Sequence, residues 1–156
     1  MPQHEQHRLA AILAADMAGY SRLVGIDEQG TIARQRLLRA DVIDPQLDEY
    51  GGRIGSTSGD GLLVEFASVV SAVACAADIQ RVMATPETEL PPDRRIRYRI
   101  GVNLGDIVID GSDILGDGVN VAARLEQLAE PGGICIPQKV IDEVRNNLDL
   151  IYEFIG

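Results

Sequence analysis

Two aspartates stand where the chain changes direction. Leu9 to Ala15 is a short apolar run that ends at Asp16 and is followed by Gly19. That pattern predicts a buried strand opening into a turn, with the carboxylate at the strand's end. Arg53 to Ser58 and Leu62 to Phe66 flank Gly59-Asp60-Gly61, and an Asp-Gly pair between alternating arms predicts a hairpin with Asp60 at its tip. If the first strand lies beside the hairpin, both carboxylates reach one sheet edge. Two hard oxygen ligands there suit a pair of Mg²⁺ (or Mn²⁺) ions gripping a triphosphate. Between Asp16 and the next helix run Met17, Ala18, Gly19 and Tyr20, and the free N–H groups of a helix start favour a phosphate. Each feature alone also has a plain structural use, since Asp tolerates hairpin turns and commonly caps helices.

The second half of the chain adds a different pair. Asn120 and Arg124 are four apart on a helix expected over Val119 to Leu128, so both point the same way. The bland alternative is an amphipathic helix with a solvated Asn and Arg.

A series of strands and helices must position these residues. After the first strand, helical spacing runs through Leu23, Ile32, Leu37, Leu38, Val42 and Leu47. It restarts near Asp27, and Asp44-Pro45 is expected to kink or interrupt it. Gly51-Gly52 stops that helix ahead of the hairpin. Ser68 is a candidate N-cap for a helix with the apolar stripe Val69, Ala72, Val73, Ala76, Ile79 and Met83. A Pro-rich loop covers Thr85 to Asp93. Ile96 to Ile109 then forms a strand pair or one bent strand, interrupted at Gly101 and Gly105. A turn over Asp110 to Asp113 leads to the Val119 helix. Last come a short strand over Ile134 to Pro137, a helix over Gln138 to Asn146 and a final strand over Leu150 to Ile155. The order is βαββαβ extended by αβαβ. The predicted class is α+β, a ferredoxin-like split βαβ core whose mainly antiparallel sheet has helices packed on it. Residues 1–8 are expected to be a flexible tail, and 9–156 a single catalytic domain.

Composition narrows the partners. A chain of 156 residues with a net charge of −10 repels rather than neutralises nucleic-acid phosphates, so no nucleic-acid partner is expected. No apolar run approaches the roughly 20 residues of a membrane span, so this segment is expected to make no membrane contact. Cys75 and Cys135 lie far apart among apolar neighbours, as buried free thiols do, which favours a cytoplasmic setting. His4 and His7 both fall in the tail, which leaves no histidine for a triad or zinc site in the body. Lys139 is the one lysine beside 13 arginines.

Three segments carry a resemblance. Ala14-Ala15-Asp16-Met17-Ala18-Gly19-Tyr20-Ser21 is similar to the first metal motif of class III adenylate and guanylate cyclases, and Ser58-Gly59-Asp60-Gly61 resembles the second. Gly116 to Arg124, with Glu126 behind, resembles their transition-state motif. The likeness runs from about Arg8 to Phe154 and is nearest the bacterial, rhizobial-type branch. It implies that Asp16, Asp60 and the Met17 carbonyl hold two metal ions. Asn120 would orient the ribose, Arg124 would stabilise charge developing on the α-phosphate, and Asp113 would accept a hydrogen bond from the adenine amino group. It also implies a homodimer with shared active sites, in which metal ligands come from one protomer and Asp113, Asn120 and Arg124 from the other. The expected substrate is a nucleoside triphosphate, with ATP preferred.

The sequence departs from the family pattern at position 56. Adenylate cyclases of the family place a base-reading lysine three residues before the glycine of the second metal motif, and here Ser56 stands there. A second family lysine, which binds the triphosphate tail, belongs to a segment after Gly156, so the domain is expected to be truncated at its C-terminal end. Guanylate or mixed specificity, and a non-catalytic nucleotide-binding or dimerisation module, are the alternatives to an ATP-specific enzyme.

Overall fold

A computed structural model describes residues 5–58, 60–111, 113–153 and 155. His4, Gly59 and Phe154 lie outside the described residues, as does the side chain of Ser56. The first strand, β1 (Glu5–Met17), is longer than its apolar run. Residues 5–8 of the expected tail pair with β4 (Tyr98–Asp110), in a register running from Glu5↔Asp110 to Met17↔Tyr98. A partner strand supplies what the polar residues lack in burial.

Helices α1 (Tyr20–Ile26), α2 (Glu28–Leu38) and α3 (Asp44–Glu49) come next. Asp27 restarts the helix as expected, accepting a hydrogen bond from the Gly30 N–H at 3.0 Å. Pro45 does not break the run. A π-helical stretch over Arg39–Ile43 precedes it, and the widened turn accommodates the missing N–H and the bulk of the ring.

The hairpin β2 (Arg53–Ser58) and β3 (Gly61–Phe66) closes with Ser58 opposite Gly61, and Asp60 stands in the turn between them. Ser68 caps α4 (Val69–Met83), accepting from the Ser71 N–H at 3.1 Å. β4 is one continuous strand, and its glycines 101 and 105 do not break it. A short strand, β5 (Asp113–Leu115), occupies what reads in sequence as the end of a turn. Then come α5 (Asp117–Leu128), β6 (Ile134–Cys135) and α6 (Gln138–Val144).

The final strand expected over Leu150 to Ile155 does not form. Residues 150–153 and 155 carry no strand assignment, although Leu150 and Tyr152 pack against the core. Leu150 and Tyr152 pack inward without a ladder partner while Ile151 between them is exposed, an alternation that sequence alone cannot distinguish from a strand.

The strand order is β2-β3-β1-β4-β5, with β6 joined in parallel to β4 and the other pairings antiparallel. Within βαββαβ this is the split βαβ arrangement, and it seats β1 centrally between the hairpin and β4. The two faces of β1 divide the core. Ala11, Leu13, Ala15 and Met17 join the larger cluster with Leu23, Val73, Ile79 and Val140 from the helices. Ala10, Ile12 and Ala14 join a smaller one with Ile107, Ile114, Val119 and Ala122, where α5 packs. The helix lies almost on the β4 backbone: a Cβ at Gly101 would stand 2.5 Å from the Ala122 carbonyl oxygen. The glycines that read as interruptions therefore make room for α5. Among the described residues, no helix is long and apolar enough to cross a membrane. Cys75 and Cys135 are buried free thiols, and burial pushes Cys75 up to about 12, helped by the Asp78 carboxylate.

Candidate active site

Asp16 ends the row of β1 residues that faces α5. Its directly opposed partner on β4 is Arg99, and opposed residues share a face. The guanidinium forks onto the carboxylate, with Nε 3.2 Å from Oδ1 and Nη2 3.0 Å from Oδ2. Such bidentate, charge-assisted pairs fix orientation as well as charge. The α5 end supplies a third contact, because Gln127 Nε2 donates to Asp16 Oδ2 at 3.2 Å. The same amide donates to the carboxylate of Glu126.

Glu126 is the unusual group here. It lies on the buried side of α5 and is only 6% exposed. Burial pushes its carboxyl up to about 7. The Asp16 charge adds to this, as does a carboxyl–carboxyl hydrogen bond that needs a proton, while Gln127 and Arg99 pull the other way. A pair of carboxylates sharing one cation holds a proton more tightly than either would alone. Desolvation is the larger cause.

Asp60 arrives from the hairpin tip. Its Oδ2 accepts the Met17 N–H at 2.9 Å, which seats this carboxylate beside the Asp16–Met17 peptide. The chain leaves β1 through Ala18, whose N–H bonds the Arg97 carbonyl at 2.8 Å. Gly19 comes next with φ 67° and starts α1. That left-handed conformation suits glycine, and no side chain caps the N–H groups that Tyr20 begins.

Asn120 and Arg124 lie exposed on α5, in line with Gln127 at helical spacing. Asp113 is exposed on β5. Among the described residues, the side chains of these three have no hydrogen-bond or ion-pair partner. The structure thus brings Asp16, Met17 and Asp60 together with Ala18, Gly19 and Tyr20 at one end of β1. It leaves Asn120 and Arg124 as free polar groups farther back along α5, and Asp113 at the other end of the sheet, where it opposes Asp110, itself opposite Glu5. Ser56 is on β2.

Sequence reading missed Arg99 and Gln127 and left Glu126 without a role. Glu126 did leave a signal, since it sits at i+7 from Val119 and i+4 from Ala122, on the apolar stripe of its own helix. Arg99 leaves none until the β1–β4 register is known.

Two carboxylates on adjoining backbone fit a divalent cation that draws its remaining oxygens from substrate phosphates. Mg²⁺ is commonly held by one or two carboxylates plus phosphates rather than by an all-protein cage. Among the described residues there is no cluster of three or more His, Cys, Asp or Glu suited to a metal.

Comparison with known proteins points one way. The profile of the family described as Adenylate and Guanylate cyclase catalytic domain matches residues 3–153. A Rhizobium meliloti (strain 1021) protein named "Putative adenylate cyclase 3" is 49% identical over 145 residues, covering 93% of this chain and 25% of its own length. An adenylate cyclase of Anabaena cylindrica is 30% identical over 155 residues, covering 86% of this chain and 30% of its own. The chain thus spans about a quarter to a third of these relatives. A crystal structure of an adenylate/guanylate cyclase/hydrolase from Silicibacter pomeroyi superposes with a TM-score of 0.91 at 46% identity, over 97% of this chain and 88% of that one. The adenylyl cyclase CyaB from P. aeruginosa shares the fold, with a TM-score of 0.79 at 19% identity over 92% of this chain and 83% of that one.

Proposed function

The chain belongs to the adenylate and guanylate cyclase catalytic domain family, and from that premise we propose that it converts ATP to 3′,5′-cyclic AMP and pyrophosphate at sites shared between two copies. The observation that carries this reading is the hydrogen bond from the Met17 N–H to Asp60 at 2.9 Å. It sets the hairpin carboxylate against the residue next to Asp16. Asp16, Asp60 and the Met17 carbonyl would hold two Mg²⁺ or Mn²⁺ ions. Those ions, when bound, supply Lewis-acid activation of the ribose 3′-hydroxyl and neutralise the triphosphate.

The remaining work falls to side chains. The 3′-oxygen attacks the α-phosphorus in line. A bond from Pα to the 3′-oxygen forms, the α–β bridging bond breaks, pyrophosphate leaves with the electron pair, and the hydroxyl proton passes to solvent. Asn120 orients the ribose, and Arg124 meets the charge that develops on the α-phosphate, where a preorganised cation contributes most. Gly19 and Tyr20 offer backbone N–H groups to the phosphates, whereas the Ala18 N–H is already donated to the Arg97 carbonyl. Arg99 is forked onto Asp16, and beside Asp16 that guanidinium would also offer its donors to phosphoryl oxygens, supplying positive charge in a chain with a single lysine.

Asn120 lies seven residues from Gln127, about 10 Å along the helix at 1.5 Å per residue, and Gln127 is the α5 residue that donates to Asp16. The exposure of Asn120 and Arg124 suits delivery to a second copy's metal cluster. Asp113 accepts from the adenine amino group and gives ATP a modest preference. The test is incubation with Mn²⁺ and ATP or GTP, reading cyclic product and pyrophosphate. Cyclic AMP is expected as the main product. Nucleotide binding without turnover would point to a non-catalytic module.

A further inference from the structure

β2 and β5 are the two ends of the strand order, yet they touch. The sheet curls until its edges meet, and the meeting point is Gly55 against Ile114. Ile114 is 2% exposed and sits in the smaller apolar cluster with Ile12, Ala14 and Val119. A Cβ at position 55 would overlap Ile114 Cδ1, stand 2.5 Å from Cγ1 and 3.2 Å from Cβ. No side chain fits at 55 while Ile114 is seated. Gly55 has no positive φ, so glycine is needed here for space and not for backbone conformation.

Gly55 is also the residue that the β2–β3 register skips, since Ile54 opposes Val64 and Ser56 opposes Leu63. A one-residue bulge re-aims the strand beyond it. Position 56 is the first residue past this bulge, and Asp113 immediately precedes Ile114. The two positions tied to base recognition are therefore the chain neighbours of the two residues that lock the sheet edges together.

We propose that the seating of Ile114 on Gly55 positions the base-reading residues, fixing Asp113 on β5 against the bulge of β2 that precedes position 56. Gly55 and Ile114 are positioning residues for nucleotide selectivity and need not touch the base. The proposal rests on the cyclase function proposed for the chain.

The experiment uses kcat/KM for ATP and for GTP with Mn²⁺, in the native chain, Gly55→Ala, Ile114→Val and the double variant Gly55→Ala/Ile114→Ala. The ratio of the two values, taken on one preparation, cancels any loss of folded protein, so a merely structural defect leaves it unchanged. Displacing β5 by the bulk of a methyl group is expected to pull the ATP:GTP ratio of Gly55→Ala toward unity, a loss of roughly fivefold, which is most of the modest preference that one unpaired acceptor confers. Ile114→Val removes the Cδ1 methyl and is expected to lower the ratio less, and it remains readable if Gly55→Ala does not fold. The double variant trades a new Cβ for the removed branch and is expected to return the ratio toward native. A ratio unchanged within about twofold in both Gly55→Ala and Ile114→Val, with the native chain active, overturns the proposal. No cyclic product from the native chain overturns the cyclase function and this inference with it.

Discussion

Replacing Glu126 by glutamine tests the electrostatics around Asp16 without reference to catalysis. In the folded chain Glu126 is buried beside another carboxylate and titrates at about 7 against an ordinary 4.5. Holding it charged therefore costs about 3 kcal/mol, at 1.36 kcal/mol for each tenfold change in proton affinity. Proton counting gives the sign. Between pH 4.5 and 7 the folded state binds more protons than the unfolded chain, so stability falls as pH rises through that window and levels off above it. Glutamine keeps the shape and the hydrogen-bonding oxygen but cannot ionise. Glu126→Gln should match the native chain near pH 5 and exceed it above pH 7 by up to about 3 kcal/mol. For a domain of this size that corresponds to roughly 6–12 °C in Tm. The assay is thermal or urea unfolding from about pH 5 to 8 in the presence of a chelator. Parallel native and variant curves across that range would refute the reasoning, because they would mean that Glu126 keeps its ordinary affinity for protons.

Asp16→Ala and Asp60→Asn are each expected to lose metal-dependent turnover by about a thousandfold with the fold kept; Asn at 60 retains an acceptor for the Met17 N–H, so circular dichroism and Tm should stay near native while product formation collapses. Asp16→Ala and Arg124→Ala chains should be inactive alone but regain part of the activity when mixed, since one site of the heterodimer collects both lesions and the other none; heterodimers without recovery would place the site within one chain. The native chain should show a weak preference for ATP, because guanine would leave Asp113 facing a second acceptor at a cost of about 1–3 kcal/mol. Ser56→Lys should enlarge that preference, and an unchanged kcat/KM ratio would remove position 56 from base recognition.

What could be read along the chain was local. The helix restart at Asp27, the Ser68 cap, the Asp-Gly hairpin and the stripe of α4 depend on residues within a turn or two of one another, and all stand as expected. Asp16 and Asp60 could be assigned to one sheet edge because the split βαβ topology puts β1 beside the hairpin, and Asn120 and Arg124 to one side of α5 because helical period alone aligns them. Tertiary structure decided the rest. Arg99 reaches Asp16 across 83 residues of sequence and Gln127 across 111. Gly101 and Gly105 proved to be the floor for α5 and not breaks in a strand. β5 exists because it finds a ladder on the end of β4, whereas residues 150–153 and 155, given no ladder, form no strand. The division has one physical cause. Caps and turns are set by hydrogen bonds between near neighbours, while the charge partners of a buried carboxylate are set by strand register, and no short window of sequence contains it.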